Sequence, residues 1–338
     1  MNSELKRCSR CILPSTLSTI TFDEEGVCNH CRKYEKDFHE WDQIKDRKEA
    51  EFRAILEKAR TLKRPYDCLV PLSGGKDSTY TLRILKEKYD LKILALTIDN
   101  GFIADQTRKN IESIVEQLSV DHLFLKPRFD VLSKIFNYCA NSDLFPLKTA
   151  ERASNICTAC MSIIKFSALR FAVEKAIPFI VFGWSPGQAP VTSSIMKNNP
   201  SMVKAMQKAV YDPLYKLVGD EIRPYFLEKE HFTDSKCFPY NIHPLAFLEY
   251  SEEEIYRNIS SMGWKAPVDV DPNSTNCLLN SYAIVVHKER FQFHPYAFEL
   301  SGLVRQGYLD RDLALKRLQQ EEDHAVIDRV KKKLGVIS

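Results

Sequence analysis

No apolar run in the 338 residues approaches the ~18 that a membrane span requires. Cys8 and charges from residue 4 onward do not suit a secretory leader. A surplus of one charge sign is missing too. With 48 Lys+Arg against 45 Asp+Glu, the formal charge of +3 neither demands nor excludes nucleic acid, and no Lys/Arg-dense stripe is present. The common phosphate loop G-x-x-x-x-G-K-[ST] is also lacking, because Val70 stands where its first glycine belongs and Asp77 follows the lysine. What remains, 44% hydrophobic and 28% charged, is the composition of a folded chain with one large domain or two modest ones. A cytoplasmic protein is expected, with no membrane partner.

The stretch that organises the chain is Tyr66 to Ser78. Cys68 to Leu72 reads as a buried strand, Ser73-Gly74-Gly75 as a turn, and Lys76 to Tyr89 as a helix with Leu82 and Leu85 on its inner side. Strand, glycine turn and helix N-terminus together make an anion site, since backbone N–H groups and the helix dipole both favour negative charge there. Lys76 adds a mobile cation and Ser73 and Ser78 add hydroxyls, so a triphosphate or pyrophosphate is the expected guest.

Ten cysteines could signal disulfides, but their spacing points to metal. Cys8-x2-Cys11 and Cys28-x2-Cys31 flank the hairpin-like Phe22–Val27 turn and fit a tetrahedral four-thiolate zinc site. Zn2+ there is expected to be structural, because so short a module has little core of its own. His30 reads as exposed rather than as a ligand, and Cys68 and Cys139 as core residues.

Residues 1–40 are thus a zinc module and 41–65 a helical linker ended by Pro65. From Tyr66 strands alternate with helices. Strands are expected at Lys92–Ile98, Val120–Leu125 and Pro178–Phe182, and helices at Thr107–Leu118, Val131–Cys139 and Ile163–Lys175. This is the pattern of an α/β fold with a doubly wound parallel sheet, whose ligands gather at the carboxyl ends of the strands. The core domain is expected to span 66–277, with an insertion at about 186–240 holding a helix near Ser201–Val210 and shaping an acceptor pocket. Ser251-x-x-Glu254 forms a capping box for a helix to Met262. Residues 278–338 read as a C-terminal helical region in which His287, His294, Tyr296, Glu299 and Arg305 are spaced as though facing a shared cleft, with a packing or surface role for any one of them the stronger reading.

A second cysteine set is Cys157-x2-Cys160 with Cys277. The pair precedes a helix at Ser162–Lys175, and a helix N-terminus lowers thiol pKa. The residues alone leave several readings open: a redox pair, a second zinc site completed by Cys237 or a histidine, or a buried thiol at Cys277.

Ser73-Gly74-Gly75-Lys76-Asp77-Ser78 resembles the pyrophosphate loop of the adenine nucleotide alpha-hydrolase-like ATPases. That resemblance implies ATP with Mg2+ on Ser73, Gly74, Gly75, Lys76, Asp77 and Ser78, and the adenosine at Ile98, Asp99, Asn100 and Gly183. It implies adenylation of a substrate oxygen with loss of pyrophosphate, Lys76 and Asp77 being catalytic. The cysteines resemble those of the iron–sulfur-dependent tRNA thiolases. They imply a 4Fe-4S cluster on Cys157, Cys160 and Cys277, with one iron open for sulfide.

Phe182-Gly183-Trp184-Ser185-Pro186 departs from the thiolases' Gly-His-x-x-Asp-Asp run, which argues against tRNA as acceptor. The Cys-x2-Cys modules and Gly307–Leu315 also resemble bacterial N-acetyl sugar amidotransferases, which take ammonia from a glutaminase partner. The leading expectation is a sulfurtransferase acting on a small molecule, supplied by a sulfur donor protein. Amidotransfer in surface-glycan synthesis, tRNA thiolation and a non-catalytic nucleotide-binding role are the alternatives. A homodimer is left open.

Overall fold

In the computed structural model, which describes residues 5–37, 41–233 and 238–337, two helices precede the sheet: α1 (Asn29–Asp37) and α2 (Trp41–Arg60). The alternating core follows as β1 (Cys68–Pro71), α3 (Lys76–Glu87), β2 (Ile93–Ile98), α4 (Asp105–Gln117), β3 (Asp121–Leu125) and α5 (Phe129–Asn141). It continues through α6 (Leu147–Ala150), α7 (Asn155–Glu174), β4 (Phe179–Val181), β5 (Ile195–Lys197), α8 (Pro200–Val218) and β6 (Tyr240–Ile242). The remainder is α9 (Glu252–Ser260), α10 (Leu279–Phe291), α11 (Ala297–Arg305), α12 (Arg311–Gln319) and α13 (His324–Leu334).

The six strands form one sheet in the order β3-β2-β1-β4-β6-β5. All pairings are parallel except β5 with β6, so the excursion after Pro186 contributes an antiparallel edge strand. Every residue of β2 is buried, as a strand covered on both faces requires. One core packs Leu69, Leu94, Leu96 and Ile180 against α5 and α7, and another packs Val70, Ala95 and Val181 against Phe52, Leu82 and Leu85. The fold is the doubly wound α/β architecture expected, with four clustered cysteines in front and helices behind.

Several expectations need correction. The linker helix stops at Arg60, well before Pro65, and α8 runs on to Val218 despite Pro213 inside it. The α7 helix is 20 residues long and apolar enough to cross a membrane by composition, although the sequence seemed to hold no such run. Half of that window is buried in the protein, where α7 packs on α5 and the sheet. The Cys157/Cys160 pair lies inside α7 rather than before it. Ser154 is the N-cap, its Oγ accepting the Cys157 N–H. Cys237 and Phe38 lie outside the described residues.

Candidate functional site

The two glycines of the loop are fixed by contact. Gly74 has φ of +76°, and a Cβ there would meet Ile111 and Thr107 at 2.7 Å. Its carbonyl accepts from Trp264 Nε1 at 2.9 Å. Gly75 is the N-cap of α3 and offers no side chain to the first helical amides. Gly183, beyond β4, is pressed so closely on this turn that a Cβ would lie 2.4 Å from Ser78 Cα. Ser73 and Ser78 hydroxyls sit 3.0 Å apart, with Ser78 Oγ donating to Gly75 O.

Lys76 is not the mobile cation expected. Its Nζ is buried and lies 2.7 Å from Asp77 Oδ2, 3.2 Å from Glu252 Oε1 and 3.2 Å from Tyr250 OH. Arg317 in turn grips Glu252 at 2.6 Å. Burial disfavours the ammonium, but Asp77, Tyr250 and Glu252 outweigh it and hold Lys76 well above the usual lysine range. The loop therefore presents a fixed positive charge.

A strap, residues 271–278, ties this loop to the second cysteine set. Thr275 Oγ1 accepts the Lys76 N–H at 3.0 Å. Asn276 O accepts from Ala104 N, Cys277 bridges Ile103, and Leu278 N donates to Phe102 O. Cys277 is thus held against the turn that follows β2. Asn100 Nδ2 lies 3.4 Å from both Cys160 Sγ and Cys277 Sγ, while Cys157 Sγ donates to Asn280 Oδ1 at 3.6 Å. All three cysteines are half-buried. Asp99 braces the same turn, accepting from Gly101 N at 2.9 Å and pairing with Arg108 at 3.1 Å. Ile98, Asn100, Pro127, Leu132, Cys160 and Ile163 line a small recess of about 10 Å³ beside the Cys160 thiol.

The helix N-terminus does not lower these thiols as expected. Burial pushes Cys157 up to about 11 and raises Cys160 and Cys277, and the neighbouring thiols add to the effect at Cys157 and Cys160. Without a cation they are neutral. Three soft donors gathered around Asn100 and Asn280 suit an iron–sulfur cluster, which would hold them as thiolates.

Lys165 and His243 escaped the sequence reading as neighbours of this edge. Lys165, one turn beyond Cys160 on α7, holds its ammonium 4.2 Å over the Trp184 ring, and burial lowers it to about 8. Trp184 stacks on His243 at 4.6 Å, whose charge is suppressed first by burial and then by Lys165. Glu299 accepts from Ser185 Oγ at 2.8 Å, and burial raises it to about 7. Tyr296 OH donates to Asn280 Oδ1 at 3.2 Å. Of the five C-terminal residues expected in one cleft, Tyr296 and Glu299 alone face this edge. His287 packs between Phe291 and Phe293, His294 lies beside Asp271 and Glu322, and Arg305 reaches Cys11.

The N-terminal cysteines form a different centre. A tetrahedral zinc with Zn–S bonds of about 2.3 Å sets its sulfurs about 3.8 Å apart. Cys8–Cys31 and Cys11–Cys28 sulfurs are each 3.8 Å apart. Amides of Arg10, Cys11 and Cys28 point at Cys8 Sγ, and Arg305 Nη1 approaches Cys11 Sγ at 3.6 Å, as anionic sulfurs require. His30 is half-buried edge-on to Phe298 rather than exposed, and is no part of the four-sulfur group.

Sheet and site thus define a doubly wound α/β protein with an anion loop, a thiol triad and a separate four-thiol centre. No family model matches the chain. It is 24% identical to an uncharacterized protein of Methanocaldococcus jannaschii over 318 residues, 93% of each chain. Among solved structures it is similar to the U34-tRNA thiolase NcsA from Methanococcus maripaludis with its [4Fe-4S] cluster, at 19% identity and TM-score 0.36, covering 98% of this chain and 99% of that one. It is also similar to NMN synthetase from Francisella tularensis, at 12% identity and TM-score 0.39, covering 86% of this chain and 95% of that one.

Proposed function

We propose that the chain is an ATP-dependent, AMP- and pyrophosphate-forming transferase that replaces a carbonyl oxygen of a small molecule with sulfur. The observation that carries this reading is the 271–278 strap, which places Thr275 on the phosphate loop and Cys277 in the thiol triad. An activation site and a soft-donor site are thereby built as one unit.

Ser73, Gly74, Gly75 and Ser78 cradle the phosphates through amides and hydroxyls, and Asp77 stands beside them, partly exposed. Ile98, Asn100 and Gly183 lie at the sheet edge where the adenosine seats. Lys76, held charged by its carboxylates, stabilises the pyrophosphate that departs when the acceptor oxygen attacks the alpha phosphate. A 4Fe-4S cluster on Cys157, Cys160 and Cys277 would supply an open iron that takes up sulfide. Asn100 orients two of the three sulfurs, and Lys165 with Trp184 offers the acceptor a cation and an aromatic wall. Zinc on Cys8, Cys11, Cys28 and Cys31 is structural in this reading.

The test is anaerobic purification with iron, zinc and acid-labile sulfide analysis, followed by pyrophosphate release from ATP with candidate acceptors. A brown protein with acceptor-dependent pyrophosphate release is expected. A colourless, zinc-only protein whose pyrophosphate release depends on ammonia would replace this reading by the sugar amidotransferase, for which converged thiols have no use.

A further inference from the structure

Asp271, at the base of the strap, lies beside His294 from the α10–α11 turn and Glu322 from the α12–α13 turn. One ligand atom from each falls within 4.8 Å of the others. Asp271 and His294 are each 5% exposed, and Glu322 opens partly to solvent. His294 Nε2 and Glu322 Oε1 are buried atoms without a hydrogen-bond partner. Two carboxyls and an imidazole brought together this deep, with no ion pair to any of the three among the described salt bridges, are costly unless protons or a cation compensate them. Lys288 is close enough to influence all three, and Ser281 reaches Glu322, but neither joins the group as a ligand.

We propose that Asp271, His294 through Nε2, and Glu322 bind a divalent first-row transition ion, zinc or manganese. One nitrogen and two carboxylate oxygens suit these ions, and three protein ligands with one solvent-facing side leave a position for water. The site is a brace for the strap. Asp271 already orders the turn, its Oδ1 accepting from Asn273 N at 2.8 Å and its carbonyl from Ser274 N. Thr275 at the phosphate loop and Cys277 at the triad follow within six residues. The Tyr296 amide faces His294 Nδ1 at 3.2 Å.

The inference goes beyond the proposed transferase activity, and its test uses neither ATP nor acceptor. The full chain, Glu322→Gln and His294→Gln are equilibrated with Zn2+ or with Mn2+, dialysed, and their metal content measured. The wild type is expected to keep one more ion per chain than either variant, while all three keep the zinc of the four-cysteine centre, which also reports that they are folded. Equal metal content in wild type and Glu322→Gln, with either ion, would overturn the proposal and leave a proton-sharing cluster. Because wild type alone must exceed the four-cysteine zinc, a variant that fails to fold does not rescue it.

Discussion

The chain carries two cysteine centres built on opposite plans. In the N-terminal group four sulfurs are buried, paired at 3.8 Å, approached by backbone amides and flanked by Arg305 and Arg311. Nothing is left for a substrate. At the sheet edge three half-buried cysteines are spaced around Asn100 and Asn280 and share their edge with a phosphate loop. A closed set of donors holds a fold together, whereas an open set leaves a coordination position for chemistry.

The largest effect expected is on the closed centre. On the proposed reading Cys28→Ser removes a zinc ligand, and in isolated zinc modules the coupling of metal to folding is worth on the order of 10 kcal/mol. Zinc is lost and residues 5–37 become protease-sensitive. The damage spreads, because Ser18 and Thr19 of this module donate to buried Glu151 at 2.7 and 3.0 Å, and Arg311 grips the Cys8 and Cys11 carbonyls. Zinc content and limited proteolysis read this directly. If the variant kept its zinc and its protease resistance, the distinction between closed and open centres would fail.

Next in size is the fixed charge of the loop. Lys76→Met keeps the volume of the stem but removes the buried ammonium beside Asp77 and Glu252, and on the proposed reading should slow pyrophosphate release by ~10²–10³. Arg317 still neutralises Glu252 in that variant, so the fold should survive. A loss under tenfold would assign Lys76 to structure alone.

Glu299 tests the cost of the open side. Burial keeps its carboxyl protonated up to about 7, whereas the unfolded chain releases that proton at about 4.5. Between those values the native state binds more protons, so stability falls as pH rises through this window. Glu299→Gln should flatten that slope, by up to ~3 kcal/mol at pH 7. Urea unfolding of both proteins from pH 4.5 to 8 measures it. An unchanged slope would place the carboxyl in water.

How far the sequence revealed these features follows from how local they are. Buried strands such as Ile93–Ile98 are continuous apolar runs, and Cys-x2-Cys turns carry their ligands within four residues, so sheet and closed centre could be read directly. The start of α7 could not, because Cys-Thr-Ala-Cys-Met-Ser is buried on several sides and shows no helical stripe. The strap reads as a turn-rich loop, and its meaning lies in a hydrogen bond between residues 199 positions apart. Glu252 and Arg317 carry no local signal for the same reason: their partners come from distant elements. A helix dipole favours thiolate at Cys157, but sequence does not show that burial outweighs it.

The smallest stability change belongs to a cysteine substitution at the other centre. Cys277→Ala removes the thiol of a half-buried residue, bonded only weakly, through Asn100. Strap and turn remain joined by main-chain bonds at Ala104, Asn276 and Leu278, which the substitution does not touch. The loss should stay within about 1 kcal/mol, as for a small apolar side chain at a site open on one side. Iron and acid-labile sulfide should nevertheless disappear, and sulfur transfer with them, while zinc content is unchanged. Thermal melting alongside metal analysis separates the two effects. If Cys277→Ala melted like Cys28→Ser, the triad would be a second structural centre. If it kept full activity, nitrogen rather than sulfur would be the transferred atom.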